Sequence, residues 1–338
     1  MSKDNFFLVL LTIVIILAWG AVPALAVIGD LPAGVTALII NFSSLLTVAF
    51  LLSIGVFDRF NIKNADKPKE EWQKTWAAFR NYDLKTYLKM SVLSFFWPFL
   101  YSLAYFYAIY IKQASLVVLF NFSWPLFCVI GLRLIDKKKF KLLPFLGILI
   151  SVIAALGSAF NGQGLDKIAY LMLGLGGIVA ATQGGYAAVT DSKWWKDIHP
   201  GILTLIGAAI TVIFSFLYAL IFGEFSLLRE INSVSLISLI AIGVLSNGIG
   251  FSAFLIANQK TSGTGEQKLK IKAWWLASMS LVPFAQMLFL LVPIKVLQEK
   301  ANVSSSSWIA LSLLIIAFLI LRLSNWYEEW SERRKNVL

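Results

Sequence analysis

The chain has 338 residues, 59% hydrophobic and 14% charged, with 29 Lys and Arg against 18 Asp and Glu. Soluble domains sit near 45–50% apolar and about 25% charged, so this composition argues against a water-soluble fold. One cysteine, Cys128, allows no intramolecular disulfide, and one histidine, His199, leaves little for a metal or a catalytic dyad.

A spanning helix needs roughly 20 mostly apolar residues. Ten such runs are predicted, at 6–28, 33–56, 90–111, 113–134, 142–160, 168–189, 201–222, 235–257, 273–294 and 308–325. The gaps between them hold no soluble domain. The first run is kept as a span, because Lys3 alone is basic before it and no small-x-small cleavage site follows. With the amino terminus inside, 24 of the 29 Lys and Arg fall on the cytoplasmic side, including Arg59–Lys89 and the cluster Arg133–Lys141. Only Lys112, Lys167, Arg229, Lys295 and Lys300 fall outside. This is the positive-inside pattern. It assigns the net charge of +11 to topology and to contact with anionic headgroups, and no nucleic-acid partner is expected.

The expected fold is an all-α polytopic membrane protein of ten transmembrane helices with both termini cytoplasmic. The polar link NGQGLDK divides it into two five-helix units, 1–160 and 161–338. Five spans per unit give the units opposite orientation, the inverted repeat common in secondary transporters. YSLAYFYA (Tyr101–Ala108) late in the third span matches GFSAFLIA (Gly250–Ala257) late in the eighth, pairing Ala104 with Ala253 and Tyr105 with Phe254. Each is followed by a span with a central proline, Pro125 and Pro283.

The first and second spans carry Trp19 and Asn41. The third runs SFFWPFLYSLAYFYAIY, where Trp97, Tyr101 and Tyr105 at i, i+4 and i+8 share one face and Ser102 lies beside them. The fourth holds NFSWP, Asn121–Pro125, deep in an aliphatic run. Pro125 leaves the Asn121 carbonyl without its usual amide partner, and a freed carbonyl at membrane depth must be satisfied by protein or water. Asn121, Phe122 and Trp124 are therefore expected to line a cavity. In the sixth span Gly177, Ala181 and Gly185 are expected to form a small-residue packing face, as are Gly243, Gly248 and Gly250 in the eighth. Gln183, Tyr186, Asn247 and Gln286 add neutral polar groups, and Asn41 and Asn247 suit interhelical hydrogen bonds equally well. Trp194, Trp195, Trp274, Trp275, Trp308 and Trp326 lie near span ends and read as interfacial anchors.

No Asp or Glu falls in the interior of any predicted span. Intramembrane enzymes and metal sites need clustered carboxylate, His or Cys groups, so no enzyme activity and no cofactor is expected. A proton-driven carrier commonly keeps an ionisable residue within the membrane. A facilitator, an exchanger or a carrier driven by its own substrate's gradient is expected instead.

The AWG of the first span, INFSSLL of the second, KQASLVVLFNFSWP of the fourth and the AYL…QGGYAAVT pattern of the sixth resemble the drug/metabolite transporter superfamily. Within it they resemble the EamA-type ten-helix carriers, and most the aromatic amino acid exporter branch. The resemblance implies a central cavity lined by Phe122 and Trp124, joined by Tyr105, Ser102 and Tyr186, in an exporter of small metabolites in the cytoplasmic membrane. The chain departs from that branch at Gln183, where a tryptophan is usual, and in its basic insertions at 57–89 and 258–272. The substrate site is thus expected at Asn121, Phe122, Trp124, Tyr101, Ser102, Tyr105, Gln183 and Tyr186. An amino acid is the leading substrate. Amines or quaternary ammonium compounds, nucleoside-like metabolites and a non-transporting scaffold are the rivals.

Overall fold

The computed structural model describes residues 3–56, 79–111, 114–135, 167–191, 198–261, 281–295 and 307–317, with a few isolated positions. Most of the predicted fifth span (142–160), the interfacial tryptophans other than Trp308, and most of both basic insertions lie outside the described residues. Among the described residues there is no strand.

Proline and glycine set where helices break. The first apolar run forms α1 (Lys3–Gly20) and α2 (Val22–Gly29), with Pro23 in the first turn of α2, where a missing amide is harmless. Asp30 closes α2 in the left-handed conformation, its amide donating to the Ala26 carbonyl at 3.2 Å. Then comes α3 (Ala33–Ser53).

The third run begins at α4 (Leu84–Ser94), earlier than its hydropathy implies. Asp83 accepts from the Thr86 amide at 2.8 Å, so a capped start draws the helix back through Lys85 and Lys89. A π-helical segment, Phe95–Leu100, interrupts it before α5 (Tyr101–Tyr110). The fourth run splits into α6 (Ala114–Asn121) and α7 (Trp124–Ile135). Next are α8 (Lys167–Asp191) and α9 (Pro200–Ile221), then a 3₁₀ turn at Glu224–Glu230. After α10 (Ser233–Ala241) a second π-helical segment, Ile242–Gly250, leads into α11 (Phe251–Thr261). The last described helices are α12 (Leu281–Leu290) and α13 (Ser307–Ala317).

Among the described residues five helices are long and apolar enough to cross a membrane: Phe6–Gly29, Ala33–Ser53, Leu84–Tyr110, Gly201–Ile221 and Ser233–Phe254. Their outer faces are apolar too. On α1, Phe6, Leu10, Ile13 and Leu17 are all exposed, and on α3 so are Phe42, Leu46 and Phe50. Such stripes suit acyl chains and are disfavoured in water. A membrane location is compatible with both features.

Packing interleaves the two ends of the chain. α8 lies along α5, α6 and α7; α3 lies against α9 and the second π segment; α1 lies against α12. The tight face of α8 is one residue away from the expected one. A methyl on Gly177 or Gly185 would meet nothing within 4 Å. One on Gly176 would collide with the Phe120 side chain, and one on Gly184 with the Trp124 carbonyl oxygen at 2.4 Å. Gly176, Ala180, Gly184 and Ala188 form the contact face, all of them buried. The expected glycines of the second π segment do mark close approach: a methyl on Gly243 would lie 2.3 Å from the Ile40 carbonyl oxygen of α3.

Candidate functional site

The break at 122–123 arises as the proline chemistry requires. Pro125 offers no amide to the Asn121 carbonyl, and the chain tightens instead, the Ser123 amide donating to the Phe120 carbonyl at 2.9 Å. Asn121 and Phe122 remain buried at the break.

Trp97 has φ −141° and ψ 121°, outside the helical region, as a residue preceding proline prefers. The excursion sets its indole against rings from two other helices. Its centroid is 4.2 Å from Tyr186 of α8, 5.0 Å from Phe251 of α11 and 6.0 Å from Tyr101. Tyr101 stacks on Tyr105 at 5.6 Å and 16°. Trp19 of α1 joins through Phe254, at 5.2 Å, which lies 6.0 Å from Phe251. An aromatic wall thus runs continuously through four separate stretches of sequence.

The wall borders a cavity of about 200 Å³. All eight sequence-predicted residues line it. Tyr101, Ser102 and Tyr105 come from α5, Asn121 from α6, Phe122 and Trp124 from the break and the start of α7, and Gln183 and Tyr186 from α8. Trp97, Trp19, Asn41, Asn247 and Gln286 line it as well. An apolar cavity of roughly 150 Å³ accepts benzene, so this one has room for one ring with a short polar extension.

Asn41 and Asn247 do not bond across helices in the way equally open to them. Asn41 donates through Nδ2 to its own helix, to the Ala37 carbonyl at 2.8 Å. Asn247 accepts through Oδ1 from its neighbour Ser246 at 3.4 Å. Gln286 does cross, its Nε2 donating to the Trp19 backbone carbonyl at 3.0 Å, and Trp19 Nε1 in turn donates to the Ser246 carbonyl at 3.2 Å.

Two properties define the chemistry. Among the described residues no Asp, Glu, Lys, Arg or His lines the cavity. Yet five of its side chains hold a buried polar atom without a hydrogen-bond partner: Trp97 Nε1, Tyr105 Oη, Asn121 Oδ1, Gln183 Oε1 and Gln286 Oε1. Buried polar groups are normally paired, and each unpaired one costs about 1–3 kcal/mol. Five around one void make a site that a guest with donors and acceptors would complete.

Ser44, Ser94, Thr204, Ser246 and Phe251, which carry no distinctive signal in sequence, also border the void. Hydroxyls are silent in sequence because they bond their own helix, as Ser94 Oγ does to the Met90 carbonyl. Phe254 had a signal: it is the residue paired with Tyr105 in the internal repeat match.

No protein-family model and no curated protein matches the chain. A solved crystal structure does, with a TM-score of 0.52 at 17% identity, over 93% of this chain and 96% of the other. At that identity the likeness establishes the fold alone, and it establishes it over nearly the whole length of both chains.

Proposed function

We propose that the protein is a secondary carrier of small metabolites in the cytoplasmic membrane, exporting an amino acid by alternating access. The carrying observation is the neutral, aromatic-lined cavity enclosed between helices from the two ends of the chain, with its unpartnered buried polar atoms. Carriers built from repeats hold their substrate near the membrane midplane where the repeats meet. On this reading ten spans form two inverted five-helix units with both termini cytoplasmic, and the chain is an EamA-type member of the drug/metabolite transporter superfamily.

The π segments support the repeat. The match that pairs Tyr101–Ala108 with Gly250–Ala257 also pairs Phe95–Leu100 with 244–249, inside the second π segment Ile242–Gly250. Trp97 and Pro98 then correspond to Ser246 and Asn247, and all four line the cavity. Interrupted helices at the site are a recurring device of such carriers.

The absence of ionisable groups from the described lining suits a zwitterion, which carries no net charge into the site. Its ring or aliphatic group would lie on the aromatic wall, where ring pairs contribute about 0.5–1.5 kcal/mol each. Efflux of labelled amino acids from proteoliposomes, with nucleosides and choline as competitors, tests the proposal. Competition by amino acids is expected. Competition by nucleosides or choline alone would remove the amino acid, and no flux of any compound would remove the carrier.

A further inference from the structure

Three of the unpartnered atoms are amide oxygens, Asn121 Oδ1, Gln183 Oε1 and Gln286 Oε1, brought to one cavity by three different helices. An amide oxygen only accepts hydrogen bonds. For Gln286 the orientation follows from chemistry: its Nε2 is tied to the Trp19 carbonyl, which can only accept, so the oxygen is the end left over. The terminal torsions of Asn and Gln have broad minima, and small rotations bring these oxygens to a guest. The group that satisfies three acceptors and brings none of its own is a primary ammonium, with three N–H donors. The surrounding rings of Trp97, Tyr101, Tyr105 and Tyr186 offer electron-rich faces that attract a cation, and no carboxylate among the described residues lines the cavity to hold one instead.

We infer that the cavity recognises its ligand by a primary ammonium group, with Asn121, Gln183 and Gln286 as acceptors. This rests on the cavity being the carrier's substrate site and narrows what enters it. Aromatic walls alone would hold a quaternary ammonium equally well, but such a head has no N–H and leaves all three oxygens unpaired. A site built to hydrogen-bond its ligand strongly rejects the analogue that lacks the donor. Trp97 Nε1 and the Tyr105 hydroxyl remain for an acceptor elsewhere on the ligand, such as a carboxylate.

The test uses the full chain purified in detergent, titrated calorimetrically with three probes of one scaffold: 2-phenylethylammonium, its N,N,N-trimethyl derivative, and 3-phenylpropionate. The primary ammonium is expected to bind at least thirtyfold more tightly than the trimethyl compound, and the carboxylate without an amine not to bind measurably. Gln286→Leu and Asn121→Leu should each weaken the primary ammonium about tenfold and leave the trimethyl compound unchanged. Equal or tighter binding of the trimethyl compound, binding of the carboxylate alone, or no binding of any probe would overturn the inference, and these readouts need no variant to fold. Flux of L-phenylalanine in proteoliposomes reports separately. Flux with the ammonium preference absent overturns the inference and leaves the carrier standing, whereas ammonium binding without flux of any compound overturns the carrier.

Discussion

Gln286 Nε2 donates to the backbone carbonyl of Trp19 at 3.0 Å, while the oxygen of the same amide is buried with no partner. The two ends of one side chain therefore act in opposite directions on stability. The tether joins α12 to α1, and interhelical hydrogen bonds in membranes contribute about 0.6 kcal/mol on average. The unpaired oxygen costs about 1–3 kcal/mol. Replacement by Leu removes both but also strands the Trp19 carbonyl, which Pro23 already denies its helical amide. The two penalties offset, so ligand-free Gln286→Leu is expected to melt in detergent close to the native chain while losing ligand affinity. A purely structural glutamine would show the reverse, a lower melting temperature with affinity intact.

Trp124 begins α7 at the edge of the cavity, on the far side of the chain break from Asn121. Trp124→Phe keeps a ring and should retain most of the flux. Trp124→Ala removes the wall there and is expected to lower flux about tenfold, equivalent to roughly 1.4 kcal/mol. Trp308, which packs edge-on against Phe284 at 5.7 Å away from the cavity, is the control. Trp308→Ala should leave flux within twofold. Equal losses at Trp124 and Trp308 would mean that flux reports folding alone.

The cavity was legible in the sequence wherever local chemistry decided it. The proline after Asn121-Phe122-Ser123-Trp124 forces a break at any depth, and i, i+4 spacing places Tyr101 and Tyr105 on one side of α5, whereas Trp97 reaches the same wall through a non-helical residue that spacing does not encode. The third helix's start at Leu84 was legible too, since an aspartate directly before it, Asp83, is an N-cap signal, but hydropathy masked it. The tight face of α8 was not. Gly176, Ala180 and Gly184 have the same fourfold spacing as Gly177, Ala181 and Gly185, and only the position of α6 and α7 decides between them. The π segments were hidden for a similar reason: they serve contacts across the bundle that no local propensity encodes.

Adjacent glycines of α8 give a paired test. A methyl on Gly184 would lie 2.4 Å from the Trp124 carbonyl oxygen and 2.8 Å from the Cys128 amide nitrogen, backbone atoms that cannot swing aside. Gly184→Ala is expected to destabilise by about 1–3 kcal/mol through overpacking. Gly185→Ala meets open space and should be neutral, or stabilise by up to about 1 kcal/mol through helix propensity. Thermal unfolding of the two variants side by side in detergent checks the assignment. Similar melting temperatures would show that α8 does not press α7 through this face.

Acid should loosen the start of α4. Thr86 hydrogen-bonds the Asp83 carboxylate and, with Lys85 and Lys89 nearby, holds its pKa below the usual carboxylate value. A depressed carboxyl stabilises the fold above the unfolded pKa, near 3.9, and that contribution is lost as pH falls through the lower folded value. Amide exchange over residues 84–88, corrected for its intrinsic pH dependence, is expected to gain protection loss only at strongly acid pH. Asp83→Asn, which caps without a charge, should abolish that pH dependence while keeping the helix start. Identical profiles for both proteins would remove the cap as its cause.

Glu224 reaches from the 3₁₀ turn after α9 to the first turn of α3, where Oε2 accepts from the Val35 amide at 2.9 Å. Glycine at position 34 makes the approach possible, since a methyl there would stand 2.6 Å from that same oxygen. The first amides of a helix have no partner of their own, and an anion beside them also meets the positive end of the helix dipole. The contact thus ties a turn in the second half of the chain to a helix in the first. Glu224→Ala is expected to lower stability by about 0.5–2 kcal/mol, the range for losing a cap, whereas Glu224→Gln keeps an acceptor, loses the charge and should cost about 0.3–1 kcal/mol. Gly34→Ala would press on both the carboxylate and the Tyr218 ring, its methyl standing 2.6 Å from each, so it should cost more than Glu224→Ala, and combining the two should add less than the two single changes together. Strict additivity in thermal unfolding would show that the two residues do not act through one contact.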